Sequence, residues 1–275
     1  MATVDEKDEA GVMEILYYLS GLAVRYAKEG LESDTKRLIE YIKEIGIASS
    51  LAGQEMVVTN TILLFSPVAK EACKRGMENA LVCIALALGE IGKAAAGQRM
   101  EVPAKTAVSC LGEMGNTAAF SKTRKEIIAV IFALGEIGKS VTKQSLGDIA
   151  NNTVTLLGET GKVAASQKFE DATLNVELLL QEIGTGAIEK NLQETANTSA
   201  RLLGDIGRAA DKQGLEKALL QAVYSLEAIK FDAEDRYLMS ASIIAEVALM
   251  RFESMDLDKL EEKLNENFRG KRRFT

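Results

Sequence analysis

The string Leu-Gly-Glu-Ile-Gly-Lys stands at residues 88–93 and again at 134–139, with Leu-Gly-Glu-Met-Gly at 111–115 midway between. Leu157, Leu180 and Leu203 open three further versions: Leu-Gly-Glu-Thr-Gly, Leu-Gln-Glu-Ile-Gly and Leu-Gly-Asp-Ile-Gly. The leucines therefore recur every 23 residues. The same step carried forward meets Leu226 and Leu249, and carried back it meets Phe65, Ile42 and Leu19. A fixed period of this length is the signature of a repeat architecture. Here it runs through nearly the whole chain.

Within one unit the apolar positions are spaced four, three, four, three and four, as in Thr123, Ile127, Val130, Leu134, Ile137 and Val141. That is one stripe along a helix. Each unit predicts about 19 helical residues, roughly 28 Å long. Four residues remain for each turn: Ala96–Arg99, Ala119–Lys122, Thr142–Ser145, Ala165–Lys168, Ile188–Asn191, Asp211–Gly214 and Glu234–Tyr237. Connections so short join antiparallel neighbours. A repeat of one helix then places successive helices alternately in two layers, with the shared stripe at the seam and two outer surfaces that are near copies. The predicted fold is all-α: an α-solenoid of HEAT/armadillo-like type, an α-α superhelix with about 11 antiparallel helices. A short C-terminal capping helix carries Leu257, Leu260, Leu264 and Phe268. Residues 8–268 read as one repeat domain, 1–7 as a disordered acidic leader and 269–275 as a basic tail.

The glycine pairs Gly89/Gly92, Gly112/Gly115, Gly135/Gly138, Gly158/Gly161 and Gly204/Gly207 fall in mid-pattern. Each costs about 1 kcal/mol against alanine inside a helix, so close approach of a neighbouring helix must offset it. The alternative is that the second glycine of each pair caps and ends its helix. Pro67 lies inside the third helical window and predicts a kink or a break there. Pro103 falls in the first turn of its own helix, where proline is tolerated.

The chain has 275 residues, 33 Lys and Arg against 40 Asp and Glu, and a net charge of -7. It contains no His and no Trp. The missing histidine removes Ser-His-Asp and Cys-His nucleophile systems and His-bearing zinc sites. Cys73, Cys83 and Cys110 form no C-x-x-C pair, which points to a reducing compartment and to no metal or cofactor. The longest apolar run, Ala80–Leu88, is nine residues, short of the roughly 20 a membrane span needs. With Asp5, Glu6, Asp8 and Glu9 at the start there is no signal peptide pattern, so a cytoplasmic protein is expected.

The Ala-Leu-Gly-Glu-Ile-Gly string at 87–92 and 133–138 resembles the first-helix signature of HEAT-like repeats of the phycobilisome-lyase type. The resemblance covers residues 88–207 and implies stacked helices of an α-solenoid. The period of 23 residues is shorter than that family's, and the Asp-Pro and Val-Arg elements between its paired helices are absent.

Six units place an acid two residues after the leucine: Glu90, Glu113, Glu136, Glu159, Glu182 and Asp205. Cations follow three residues later at Lys93, Lys139, Lys162 and Arg208, which suits a solvated face laced with i,i+3 pairs. The functional alternative is a pair of acidic ladders, Glu90, Glu136 and Glu182 on one face and Glu113, Glu159 and Asp205 on the other, docking a basic segment. Arg269, Lys271, Arg272 and Arg273 form a basic cluster, either a solvated terminus or a tether to an anionic partner. Tyr17, Tyr18, Tyr26 and Tyr41, with Met13 and Met56, read chiefly as core and end-cap filling, with a protein-docking end as the alternative.

The expected function is a non-catalytic scaffold or adaptor binding another protein along an extended helical-repeat surface. One rival is nucleic-acid binding through the basic tail. Another is an accessory or chromophore-lyase-like enzyme, which would need a pocket near Pro67 and the tyrosines. Self-association into a homo-oligomer is a further expectation.

Overall fold

The computed structural model describes residues 6–116 and 123–252. Among these, eleven helices follow one another and no strand occurs: α1 (Glu6–Glu29), α2 (Glu32–Leu51), α3 (Glu55–Lys74), α4 (Glu78–Gly97), α5 (Glu101–Asn116), α6 (Arg124–Lys143), α7 (Gly147–Ser166), α8 (Glu170–Glu189), α9 (Gln193–Gln213), α10 (Glu216–Asp235) and α11 (Met239–Leu249). From α2 onward every helix starts 23 residues after the previous one. The fold is an all-α tandem repeat of the solenoid class. The turn at 119–122, the expected capping helix at 257–268 and the basic tail at 269–275 lie outside the described residues. α1 begins at Glu6, within the stretch expected to be a leader.

The chain forms two compact units, residues 1–156 and 157–275. In the first, each helix packs on its sequence neighbour and on the next but one, α1 on α3, α3 on α5, α2 on α4 and α4 on α6. Odd and even helices thus make two layers. In the second unit α8 packs on α10 and α9 on α11, with sequential contacts between them. The core is the shared stripe: Phe65, Leu88, Leu111 and Leu134 in the first unit, and Leu157, Leu180, Leu203 and Leu226 in the second, are all at most 1% exposed.

The turns arise one or two residues later than the spacing suggests. Ala96 and Gly97 still belong to α4, and Gln98, Arg99 and Met100 make the connection. Arg99 is left-handed, with φ of 59°. The Met100 N–H donates to Ala95 O at 2.9 Å and the Arg99 N–H to Ala96 O, the two bonds of a Schellman closure. The same closure recurs at 23-residue intervals. The left-handed residue is Gly30, Gly53, Gly76, Arg99, Ser145, Lys168, Asn191, Gly214 and Tyr237 in turn. A continuation of the helix to the left-handed residue and an apolar anchor just beyond it fix the boundary, and that pair of conditions moves the turn downstream.

Every helix runs unbroken through its glycines. A Cβ at position 89 would stand 2.7 Å from the Ala133 Cβ and 2.8 Å from the Ala133 Cα, so α4 and α6 touch backbone to backbone. Position 92 is filled from two sides, by Ile137 of α6 and Ala107 of α5. Gly46, Gly161, Gly184 and Gly207 likewise seat one side chain from 15 residues ahead and another from 45 residues ahead. These glycines mark places where three helices meet, which offsets their conformational cost.

Pro67 does not split its helix, since α3 is continuous from Glu55 to Lys74. The proline is exposed, and the Ser20 hydroxyl of α1 donates to the Leu64 carbonyl at 3.3 Å beside it. The bond the proline removes is the one to the Leu63 carbonyl, and its exposed ring displaces no packed neighbour, so the helix carries it. α4 is the one described helix long and apolar enough to cross a membrane. Most of its apolar residues are buried, and it packs on α2, α3, α5 and α6.

Candidate functional site

The acids of the expected ladders are arranged by the helices that carry them. Glu90 and Glu136 point outward from α4 and α6, but neither is an open rung. Lys43 of α2 lies 2.6 Å from Glu40 and 3.4 Å from Glu90. Lys93 reaches past its own helix to Glu136 at 2.6 Å, and Lys139 meets the other oxygen of Glu136 at the same distance. Both lysines hold the Glu136 carboxyl below its ordinary range, Lys139 first. Asp205 is bonded to Arg208 on its own helix. The outer face is therefore a lattice of compensated charge within and between helices, and each exposed pair contributes only tenths of a kcal/mol. Glu113 and Glu182 are exposed, and Glu159 is half-buried.

What stands out against this lattice is apolar. Leu86 on α4 and Phe132 on α6 are exposed by 41% and 46% and stand side by side across a groove of about 180 Å³. Gly89 and Ala133 form its floor, and Glu90, Lys93 and Glu136 complete its lining. The close approach of α4 and α6 at Gly89 makes the groove narrow and brings the two side chains together. In the second unit the same repeat position is held by Leu178 on α8 and Tyr224 on α10, exposed by 49% and 42%.

The two layers are not copies of each other on their outer sides. The position two residues before each repeat leucine is Leu86 and Phe132 on α4 and α6, but Ser109 and Thr155 on α5 and α7. Further toward the N-terminus the odd layer carries Tyr17 and Leu63 there, and α2 carries Glu40. This column was legible as an apolar mark recurring at 86, 132, 178 and 224, every second repeat, and escapes notice because the repeat leucines dominate the pattern.

The tyrosines do not fill the core. Tyr17, Tyr18 and Tyr41 are exposed by 57%, 67% and 55%, and only Tyr26 is half-buried. Tyr18 and Tyr41 occupy the position at which Ala133, Leu156, Leu202 and Ala248 seat against a glycine 44 residues earlier. Among the described residues none stands 44 positions before either tyrosine.

A second cavity, of about 130 Å³, lies between α3, α4 and α5, lined by Phe65, Ala69, Leu88, Cys110 and Met114 with Lys70 and Glu113 at its polar edge. Ser66, the sequence neighbour of Pro67, lines it, and neither Pro67 nor a tyrosine does. Burial, with Glu113 adding to it, pushes the Cys110 thiol up to about 11, so it is protonated at neutral pH.

Two carboxyls are buried where the repeat elsewhere is apolar. Glu177 is fully buried, with neither oxygen hydrogen-bonded, at the position of Ile131, Val154 and Val223. Burial raises its carboxyl well above the ordinary range, and Glu170 adds to this. Glu126 on α6 is 6% exposed and pushed up to about 7, by burial first and then by Glu78. The Thr123 hydroxyl caps its backbone N–H. Arg269, Lys271, Arg272 and Arg273 lie outside the described residues.

No family model matches this chain, so the HEAT-like resemblance stands only as far as a tandem helical repeat. No curated protein matches it either. Among solved structures it is similar to a circular tandem repeat protein with novel repeat topology and enhanced subunit contact surfaces. The TM-score is 0.55 at 12% identity, over 93% of this chain and 66% of that one. The chain thus spans just under two thirds of that protein's length. The likeness concerns the fold.

Proposed function

We propose that this protein is a non-catalytic scaffold or adaptor that binds another protein through the outer side of α4 and α6. The observation that carries this reading is the exposed pair Leu86 and Phe132 over the α4/α6 groove, within an otherwise charge-paired face. A leucine and an aromatic ring set in a narrow groove and rimmed by paired charges have the make-up of a docking hot spot: an apolar centre and a polar rim. The partner that fits it presents one or two bulky apolar side chains flanked by polar ones. The fold supports the same reading, because tandem helical repeats offer long continuous surfaces.

The test is affinity capture with the full chain and with the double variant Leu86→Glu, Phe132→Glu, followed by calorimetry on the captured protein. The expected result is a partner held by the parent chain and weakened at least tenfold by the variant, whose thermal melt stays cooperative. Equal binding by both chains would overturn the assignment of the surface. Capture of no protein by the parent chain would overturn the scaffold reading itself.

A further inference from the structure

Two groups of interior helical glycines stand apart. Gly46, Gly89, Gly92, Gly112, Gly158, Gly161, Gly184, Gly204 and Gly207 each have a neighbouring side chain 2.5–2.9 Å from where a Cβ would stand. Gly11 and Gly21 of α1 have nothing within 4 Å. Both lie inside a 24-residue helix, where glycine is unfavourable, and both are exposed. They share one face with other exposed residues. Gly11, Glu14, Tyr18, Gly21, Arg25 and Lys28 follow at spacings of three, four, three, four and three, so at 100° per residue they fall within an arc of about 100°.

That row is complementary to itself when reversed. A twofold axis running between α1 and a second copy of it, at the level of Leu19 and Ser20, would set residues equidistant from that level face to face. Tyr18 then meets Gly21 of the second copy, Glu14 meets Arg25, and Gly11 meets Lys28, each pair occurring twice. The ring of Tyr18 would enter the gap at Gly21 much as Leu202 enters the gap at Gly158 inside the molecule. Arg25 bonds Glu29 through its Nε at 3.0 Å, which leaves its terminal guanidinium nitrogens for Glu14. The same level, carried to the neighbouring antiparallel helix, meets α2 close to Glu40 and Tyr41 and sets exposed Arg37 opposite exposed Glu44.

We infer that the outer face of α1, with α2 beside it, is a homodimer interface in which two copies pair antiparallel about a twofold axis, Tyr18 of each seated on Gly21 of the other. Two helices about 30 Å long and about 10 Å apart present roughly 600 Å² per copy, and about 1,200 Å² for the pair reaches the lower end of specific interfaces. A second copy fits better than an unlike partner because the charges and the gap-and-ring pairs complement the same row reversed. This surface is separate from the α4/α6 groove, and neither requires the other.

Sedimentation velocity on the full chain from 1 to about 200 μM tests the inference. The expected result is a monomer–dimer equilibrium across that range. Gly21→Leu and Tyr18→Asp should each weaken association at least tenfold. Position 21 stands in open space in the single chain, so the circular dichroism melt of Gly21→Leu is expected to stay cooperative and to rise slightly with the better helix former. Glu14→Arg should weaken association, and adding Arg25→Glu should restore it, because the two charges exchange places across the axis. A chain monomeric at 200 μM would overturn the inference. So would dimers indifferent to Gly21→Leu, and a charge swap that fails to restore them would overturn the register.

Discussion

Gly89 of α4 and Ala133 of α6 meet with no side chain between their backbones, the Ala133 Cα standing 2.8 Å from the place of a Gly89 Cβ. A backbone cannot swing aside, whereas the end of a leucine can. Gly89→Ala is therefore expected to destabilise the protein by about 1–3 kcal/mol despite alanine's better helix propensity. Gly112→Ala and Gly158→Ala meet the branched ends of Leu156 and Leu202, both methyls and the Cγ, a side chain rather than backbone, and should cost less than Gly89→Ala. Urea melts of the three variants, compared by midpoint at constant slope, check the order.

The left-handed turn position is glycine in some repeats and not in others. Lys168 and Tyr237 hold it with φ of 61° and 60°. A left-handed residue with a Cβ costs on the order of 1 kcal/mol, so Lys168→Gly and Tyr237→Gly should each stabilise by roughly 0.5–1 kcal/mol. Asn191 tolerates the conformation, and Asn191→Gly should change little. Thermal unfolding of the three single variants separates these outcomes.

Glu177 and Glu126 bind their protons more tightly folded than unfolded, since burial raises both carboxyls. Stability from this source is therefore full below the unfolded carboxyl range and is lost as pH rises toward the folded values, for Glu126 between about 4.5 and about 7. The slope within that window approaches 1.4 kcal/mol per pH unit for each group. Glu177→Val places at 177 the residue found at 154 and 223, and should stabilise by about 1–3 kcal/mol at pH 8 and by less at pH 4. Denaturant midpoints at the two pH values test the sign: a larger gain at pH 4 contradicts it.

Lys93 and Glu136 make a close pair at 2.6 Å, but their side chains are 55% and 39% exposed. Lys93→Met is expected to shift stability by less than about 0.5 kcal/mol and to lose most of even that effect in 0.5 M salt. A melt at two salt concentrations measures this.

The helices, their number and their two-layer order were legible because the leucine step and the i,i+3/i+4 stripe report burial, and burial is what organises a repeat fold. Glycine pairs at 89/92 and 158/161 told of close helix contact for the same reason. The turns were misplaced by one or two residues because an apolar stripe does not record where a backbone turns left-handed; the step through Gly30, Gly53, Gly76 and Gly214 does. Tyr18 and Tyr41 read as core because their repeat position is buried in later helices, and an apolar pattern does not report which helices have a packing partner on that side. Leu86 and Phe132 are hard to see in the sequence because their period is two repeats, twice that of the leucine step. Glu177 escaped because a single carboxyl in an apolar column leaves the stripe intact.

Because helices pack on the next but one, the first unit has a handed count. Excising a single 23-residue segment such as 55–77 would transfer every later helix to the opposite layer, moving the Leu86–Phe132 groove from the side of α2 to the side of α1. Excising two adjacent segments would leave the groove where it is. Only an even number of segments keeps the groove in its layer, so the unit that can be exchanged without moving it is a helical hairpin rather than the helix that the sequence repeats.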